Sequence, residues 1–185
     1  MFETRDKGKD VGTRIGSMIL DHFIMTFASM IIGVVLSVLI LLIVHLFVEF
    51  ESMQEVFPIL IATVGLTVYP VYFNKDAIEG KSPAKRILKL IVVNNKTNEV
   101  ASPIRTVARN CTIFFWPVEV LFVLFSPDRR LGDYIAGTRV IEDDKTLKRK
   151  PKLIELIFSF LLAMLFMLPL LLLMMSFGAF DFTRF

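Results

Sequence analysis

Cysteine and histidine are scarce in this chain of 185 residues. There is one cysteine, Cys111, and there are two histidines, His22 and His45. A single cysteine excludes an internal disulfide framework. Two histidines and one cysteine at these positions also do not match the ligand spacing of a thiolate or imidazole metal site. We therefore predict neither a structural disulfide nor a bound metal.

The sequence signatures of several enzyme classes are also missing. There is no GxxxxGK[ST] phosphate-binding loop, no HExxH zinc-protease motif and no GxSxG nucleophile motif. We therefore expect no enzymatic activity, no cofactor and no nucleic-acid partner. A lipid-modifying enzyme remains an alternative, and it would have to use the charged residues described below.

Long apolar runs dominate what is present. Hydrophobic residues make up 55% of the chain, and the mean hydropathy is +0.65, which is typical of an integral membrane protein. A membrane-spanning helix needs about 20 mostly apolar residues, and the runs 15–48, 56–73 and 153–177 satisfy this requirement. We predict an all-α integral membrane protein, a single domain over residues 1–185, with three transmembrane helices.

Lysine and arginine are distributed unevenly between these runs. Of the 21 basic residues, four lie in 1–14, eight in 74–110, eight in 127–152 and one near the C-terminus. The connection between the first two runs contains three glutamates and no basic residue. The positive-inside rule then predicts that the N-terminus and both basic segments are cytoplasmic, in a bacterial inner membrane. The C-terminal tail is predicted to lie outside.

A shorter apolar segment, 111–126, has a basic segment on each side. The same rule predicts that it enters and leaves the membrane on one face. It is also short for one crossing, at 16 residues with Pro117 and Glu119 inside it. We interpret it as a re-entrant or in-plane helix that returns to the cytoplasmic face at RRLGD. The alternative is a fourth span that begins near Thr106.

Two stretches of the cytoplasmic segments, 87–95 and 135–143, are rich in β-branched residues. Each ends near polar or turn-forming residues, so they are predicted to pair as a small cytoplasmic β element. The basic run 145–152 follows the second stretch. It is predicted to favour anionic lipid headgroups.

Charged residues also lie inside or beside the apolar runs. Asp21 and Glu119 lie within such runs, where an unpaired charge at the bilayer centre costs about 2.5–3.5 kcal/mol. Arg14 shares a helix face with Asp21 but is about 10.5 Å away along the axis, so Asp21 needs further partners. We predict a compensated cluster at the inner leaflet. Its predicted members are Arg14, Asp21, Arg109, Glu119, Arg129, Arg130 and Asp133.

This cluster has two interpretations. Asp21 could form a cation or proton site, because a carboxylate in a partly dry, charged cavity can have its pKa shifted into a useful range. Alternatively, the charges could simply hold the re-entrant segment against the first helix. Both interpretations require the same residues to meet.

Two further motifs each allow two interpretations. Gly80, Ser82 and Lys85 lie in a basic turn that could bind a phosphate or lipid headgroup through main-chain N–H groups, or could be an ordinary loop. Ser29, Gly33 and Ser37 recur every four residues and permit close helix contact. That contact could be with a second copy of the chain or with the second helix of the same chain.

Three stretches together resemble the RDD family of bacterial membrane proteins. They are TRIGSMILD, GKSPAKRILKLIVV and RRLGDYIAGTRV. The family is named for an Arg and two Asp residues, which match Arg14, Asp21 and Asp133. The resemblance covers residues 12–142, with 153–177 as an additional C-terminal helix. Ala84 stands where the turn of the family usually has glycine, which weakens the prediction of an anion site.

The resemblance implies a transport function, because some members of the family have been associated with cation/proton exchange. We therefore expect a small transporter that exchanges monovalent cations for protons, in which Asp21 and Asp133 bind the ion and Arg14 and Arg109 tune them. A homo-oligomer is expected, because three helices enclose little space. The alternative is a non-transporting scaffold or regulator that binds anionic lipid or a protein partner.

Overall fold

The computed structural model describes residues 10–47, 53–143 and 146–176. Its α-helices are α1 (Val11–His45), α2 (Met53–Phe73), α3 (Pro83–Ile87), α4 (Pro103–Asn110), α5 (Trp116–Phe125), α6 (Leu131–Ala136) and α7 (Leu153–Ser176). A 3₁₀ helix, Cys111–Phe115, connects α4 to α5, and the strands are β1 (Leu90–Asn94) and β2 (Thr138–Glu142). The predicted all-α membrane fold with a small β element is confirmed.

Helix α1 has 35 residues and is about 52 Å long, which exceeds the thickness of a bilayer's hydrocarbon core. Its buried residues all lie in the first half, at positions 14, 17, 18, 21 and 25. Because 14, 17 or 18, 21 and 25 follow one another at intervals of three or four residues, they form one face that packs against the rest of the chain. The second half is apolar and mostly exposed, as expected for a surface that contacts lipid.

Three helical stretches in the described part of the chain are long and apolar enough to cross a membrane: Val11–His45, Pro103–Phe125 and Leu153–Leu173. The first and last correspond to predicted spans. The other predicted span corresponds to α2, whose apolar part, Leu60–Phe73, is shorter. The predicted span ends at 48 and 177, and the start of the basic run at 145, lie outside the described residues.

The stretch Pro103–Phe125 returns to the end of the molecule from which it starts. It is broken into α4, the 3₁₀ helix and α5. Just after α5, the carbonyl of Pro127 accepts a hydrogen bond from Nε of Arg14 at 2.7 Å. Arg109 in α4 and Arg14 both contact Asp133 of α6. Arg109 of α4 and Pro127 after α5 therefore both lie near Arg14, as expected for a re-entrant or in-plane segment.

The two strands pair in antiparallel register from Leu90 opposite Glu142 to Asn94 opposite Thr138. Residues on both faces of β1 are buried, because the strand packs between Val140 on one side and Val100 on the other. Gly137 adopts a left-handed conformation at the end of α6, which lets the chain turn directly into β2. The β element is thus attached to α6 without a connecting loop.

Apolar side chains from four helices hold the helical part together. The cluster consists of Met25, Tyr72, Phe73, Val107, Ala163 and Met167. Gly33 of α1 contributes a close approach to α2, because a Cβ at this position would lie 3.5 Å from Cγ1 of Val64. The structure therefore uses Gly33 for a contact between helices of one chain.

Candidate functional site

Among the residues that the structure describes, eight ionisable side chains meet in the interior beside the N-terminal half of α1. Each is at most 4% exposed. Four are acids and four are bases, so their formal charges cancel. We call them the charge network, and its members are Arg14, Asp21, Asp76, Lys85, Arg109, Glu119, Arg130 and Asp133.

Asp133 of α6 is surrounded by positive charge. It forms ion pairs with Nε of Arg109 at 2.9 Å and with Nη2 of Arg14 at 3.5 Å. It also accepts hydrogen bonds from the Thr138 hydroxyl at 2.7 Å and from the main-chain N–H of Arg130 at 3.2 Å. Burial alone would raise the pKa of Asp133, but the neighbouring arginines outweigh it and hold that pKa at about 2.

Glu119 of α5 and Arg130, which immediately precedes α6, connect these two helices to each other and to α4. Nη1 of Arg130 contacts Oε2 of Glu119 at 2.9 Å, and Nη2 donates to Oδ1 of Asn110 at 2.6 Å. Glu119 also accepts hydrogen bonds from the hydroxyl of Thr112 and from the main-chain N–H of Gly132. These contacts cross-link α4, α5 and α6, so the hairpin is held by charge as well as by apolar packing.

Asp21 lies at the other end of the network, beside α3. The ammonium group of Lys85 contacts Oδ2 of Asp21 at 2.8 Å, and the Ser82 hydroxyl donates to the same oxygen at 2.7 Å. The main-chain N–H of Ala84 donates to Oδ1 of Asp21 at 3.2 Å. Ser82 is the N-cap of α3, so the first turn of that short helix is built around the Asp21 carboxylate.

Asp76 connects the two ends. One carboxylate oxygen is 3.0 Å from Nζ of Lys85, and the other is 3.2 Å from both Nη1 of Arg109 and Nδ2 of Asn110. Burial would raise the pKa of Asp76, but Lys85 and Arg109 outweigh this effect and hold the pKa below its ordinary range. The network therefore runs without interruption from Asp21 through Asp76 and Arg109 to Asp133.

The structure brings together every residue predicted for the cluster except Arg129. The Arg129 guanidinium lies 4.0 Å from the centre of the Tyr134 ring, outside the network. In the described part of the chain, none of the arginines predicted for the cluster pairs with Asp21. Asp21 contacts Lys85 and Ser82, because the turn before α3 places these side chains under that part of α1.

The residues predicted to bind a headgroup lie in this turn. Ser82 and Lys85 are buried and contact Asp21. Gly80 has a φ of +66°, and a Cβ there would lie 2.7 Å from the Val92 carbonyl, so glycine is required to place the turn against β1. Headgroup binding by these three residues stays a prediction. Their observed contacts have a structural role, because they hold the turn against Asp21 and β1.

Sequence reasoning missed Asp76 and its neighbour Lys75. Both lie in the basic segment 74–110, and an acid three residues after an apolar run was a usable signal. Nζ of Lys75 lies 4.9 Å from the centre of the Tyr72 ring, and the Tyr72 hydroxyl is hydrogen-bonded to Nδ1 of His22 at 3.0 Å. Burial lowers the pKa of Lys75 to about 7.

The lowered pKa of Asp133 predicts acid sensitivity. An acid whose pKa falls on folding stabilises the protein above its ordinary pKa, and this stabilisation is lost as the pH falls through the folded-state value. We expect a loss of about 2 kcal/mol from Asp133 between about pH 4 and pH 2. Thermal melting of the detergent-solubilised protein across this range measures it. Asp133→Asn should show a shallower acid dependence, and an unchanged dependence would contradict the prediction.

Apolar helices able to cross a bilayer, together with charges buried among them, define a multi-pass integral membrane protein. The family model for the RDD family matches residues 9–184, and the chain belongs to this family. The match continues through α7, beyond the residues 12–142 in which the motifs lie. Comparison with curated proteins and with solved structures gave no match.

Proposed function

We propose that this protein exchanges protons for monovalent cations across a bacterial inner membrane, as a homo-oligomer with its N-terminus in the cytoplasm. The exchange would take place at Asp21, Asp76 and Lys85. One observation carries the proposal: the ammonium group of Lys85 is held among three oxygens, two of which belong to carboxylates.

The three oxygens around Nζ of Lys85 resemble a cation site. They are Oδ2 of Asp21 at 2.8 Å, Oδ1 of Asp76 at 3.0 Å and Oγ of Ser82 at 3.1 Å. Hard cations take oxygen ligands, and protein oxygens can replace the hydration shell of a monovalent ion. The ammonium group carries the same single charge, so it stands in for a bound sodium or potassium ion.

A lysine at this position can couple cation binding to proton movement. An ammonium group carries a proton that can be removed, whereas a guanidinium group stays charged. If Lys85 releases its proton, Asp21 and Asp76 retain two negative charges and lose one compensating positive charge. A monovalent cation that enters the same oxygens restores the balance. One proton is thereby exchanged for one cation without a net change of buried charge.

The other end of the network suits a different task. Asp133 contacts Arg14 and Arg109, neither of which can release a proton at physiological pH. We therefore assign the ion to Asp21 and Asp76, whereas the sequence suggested Asp21 and Asp133. The arginine contacts would keep the re-entrant segment in place while Lys85 changes its charge.

Proton movement in liposomes tests the proposal. Purified protein is reconstituted with a pH-sensitive dye inside, and a sodium or potassium gradient is imposed. Wild type should change the internal pH, and Lys85→Arg should abolish this change because the guanidinium keeps its proton. Lys81→Arg is the matched control, because Lys81 pairs with Asp143 outside the network and should tolerate the same replacement.

A second variant covers the case in which arginine does not fit at position 85. Lys85→Met removes the charge and leaves two carboxylates facing the empty position, so added sodium or potassium should raise its melting temperature more than that of wild type. Proton exchange by Lys85→Arg at the wild-type rate would overturn the proposal. So would a folded wild type that moves no protons under either gradient.

The complete charge balance of the network favours a second candidate, a non-transporting scaffold or regulator. A fully paired cluster could hold the re-entrant segment against α1 and have no role in transport. In that case Asp21→Asn lowers stability, and wild-type liposomes show no proton flux to lose.

A further inference from the structure

A groove lies between α1 and α2, and its polar end adjoins the charge network. Its volume is about 680 Å³, and its walls are mainly apolar, including Met30, Leu60, Val64 and Val68. Met30 at the edge of the groove is 61% exposed, and Ile61 is 38% exposed. In a chain whose long helices cross a bilayer, such a groove is reached from the hydrocarbon core. An occupant would therefore come from the lipid phase.

One end of the groove is polar. His22 and Tyr72 line it there, and they are hydrogen-bonded to each other at 3.0 Å. Lys75 places its ammonium group over the Tyr72 ring. This end is also where α2 finishes, at Phe73, so it lies close to the boundary between apolar and polar parts of the chain.

Lys75 is a basic side chain at this end of the groove, and it is not a member of the charge network. Lys85 pairs with Asp21 and Asp76, and no carboxylate in the described ranges lies within ion-pair distance of Lys75. Lys75 is partly buried, and burial lowers the pKa of its side chain to about 7. In the described part of the chain, Lys75 therefore has negative charge nearby, from Asp21 and Asp76, but no direct ion-pair partner.

We propose that the groove binds one anionic phospholipid, with an acyl chain between α1 and α2 and its phosphate at Lys75, Tyr72 and His22. The apolar walls match the acyl chain, and the cationic end matches a negative headgroup. Free phosphate would leave the apolar part of the groove empty. A neutral headgroup would leave the Lys75 ammonium group without a direct ion-pair partner. The proposal does not depend on cation exchange, because none of these residues belongs to the charge network.

Native mass spectrometry of the protein in a neutral detergent tests this proposal. Phosphatidylglycerol and phosphatidylcholine are added separately, and the fraction of protein that retains one lipid is measured. We expect phosphatidylglycerol to be retained preferentially. Lys75→Gln should weaken its binding by about fivefold, which corresponds to about 1 kcal/mol for one lysine near an anionic surface. Lys96→Gln, in an exposed turn, is the matched control and should bind like wild type.

A second variant tests the acyl chain separately. Ser37 lines the groove at a position on α1 that is 15 residues after His22, and therefore far from the polar end. Ser37→Leu should fill the apolar part of the groove and reduce lipid retention without changing the headgroup site. Equal retention of the two lipids by wild type would overturn the proposal. Unchanged phosphatidylglycerol binding by a folded Lys75→Gln would also overturn it. If Lys75→Gln does not fold, unchanged phosphatidylglycerol binding by Ser37→Leu would overturn it instead.

Discussion

Replacing Arg109 by glutamine is expected to lower the free energy of unfolding by about 3–5 kcal/mol. The Arg109 guanidinium bridges two buried carboxylates, with Nη1 3.2 Å from Asp76 and Nε 2.9 Å from Asp133. Its removal leaves both acids with too little positive charge in a region that water does not reach. The large effect therefore comes from uncompensated buried charge and exceeds the value of the attraction that is lost.

Unfolding by sodium dodecyl sulfate in mixed micelles measures this change. Arg129→Gln is the matched control, because Arg129 is outside the network and its contact with the Tyr134 ring is worth only about 0.5–1 kcal/mol. The double variant Arg109→Gln with Asp133→Asn should lose less than the sum of the single variants, since one uncompensated charge is removed. Equal losses for Arg109→Gln and Arg129→Gln would contradict the importance of the network.

The fold could be predicted from the sequence largely because its main features depend on composition. Apolar runs determine which segments can span a bilayer, whereas the return of 111–126 to one face stays a prediction from the basic residues on both sides of it. The strand pair was visible for a similar reason, because β-branched residues cluster at 90–94 and 138–142. None of these inferences requires a distance between remote residues.

The membership of the charge network was predictable for a different reason. A charge within an apolar run must find a partner, so Asp21 and Glu119 indicated that other charges would be buried with them. The pairing was not predictable, because it depends on the turn at Gly80. That turn carries Ser82 and Lys85 to Asp21, and its left-handed glycine is fixed by contact with β1.

Arg129 and Arg130 show how local geometry separates neighbouring residues of the same type. Arg130 immediately precedes α6, and its side chain turns inward to Glu119 and Asn110. Arg129 is one residue earlier and turns outward onto Tyr134. The sequence RR cannot distinguish them, because the start of α6 decides which arginine faces the interior.

Gly132→Ala is expected to be as disruptive as the loss of a central charge. A Cβ at Gly132 would lie 2.0 Å from the Arg109 carbonyl oxygen and 2.5 Å from Oγ1 of Thr112. The first neighbour is main chain, so it cannot turn aside as a flexible side chain would. Helix α6 must move away from α4, which stretches the contacts of Arg130 with Glu119 and of Asp133 with Arg109.

Overpacking in a close-packed interior typically costs about 1–3 kcal/mol, and we expect Gly132→Ala to reach or exceed about 3 kcal/mol because charged contacts are lost with it. Gly16→Ala in α1 is the matched control. A Cβ at Gly16 meets nothing within 4 Å, so alanine should be neutral or should stabilise the helix by up to about 1 kcal/mol. Both variants are compared by the same detergent unfolding measurement. Similar stability of the two would mean that α6 does not lie against α4 as the structure has it.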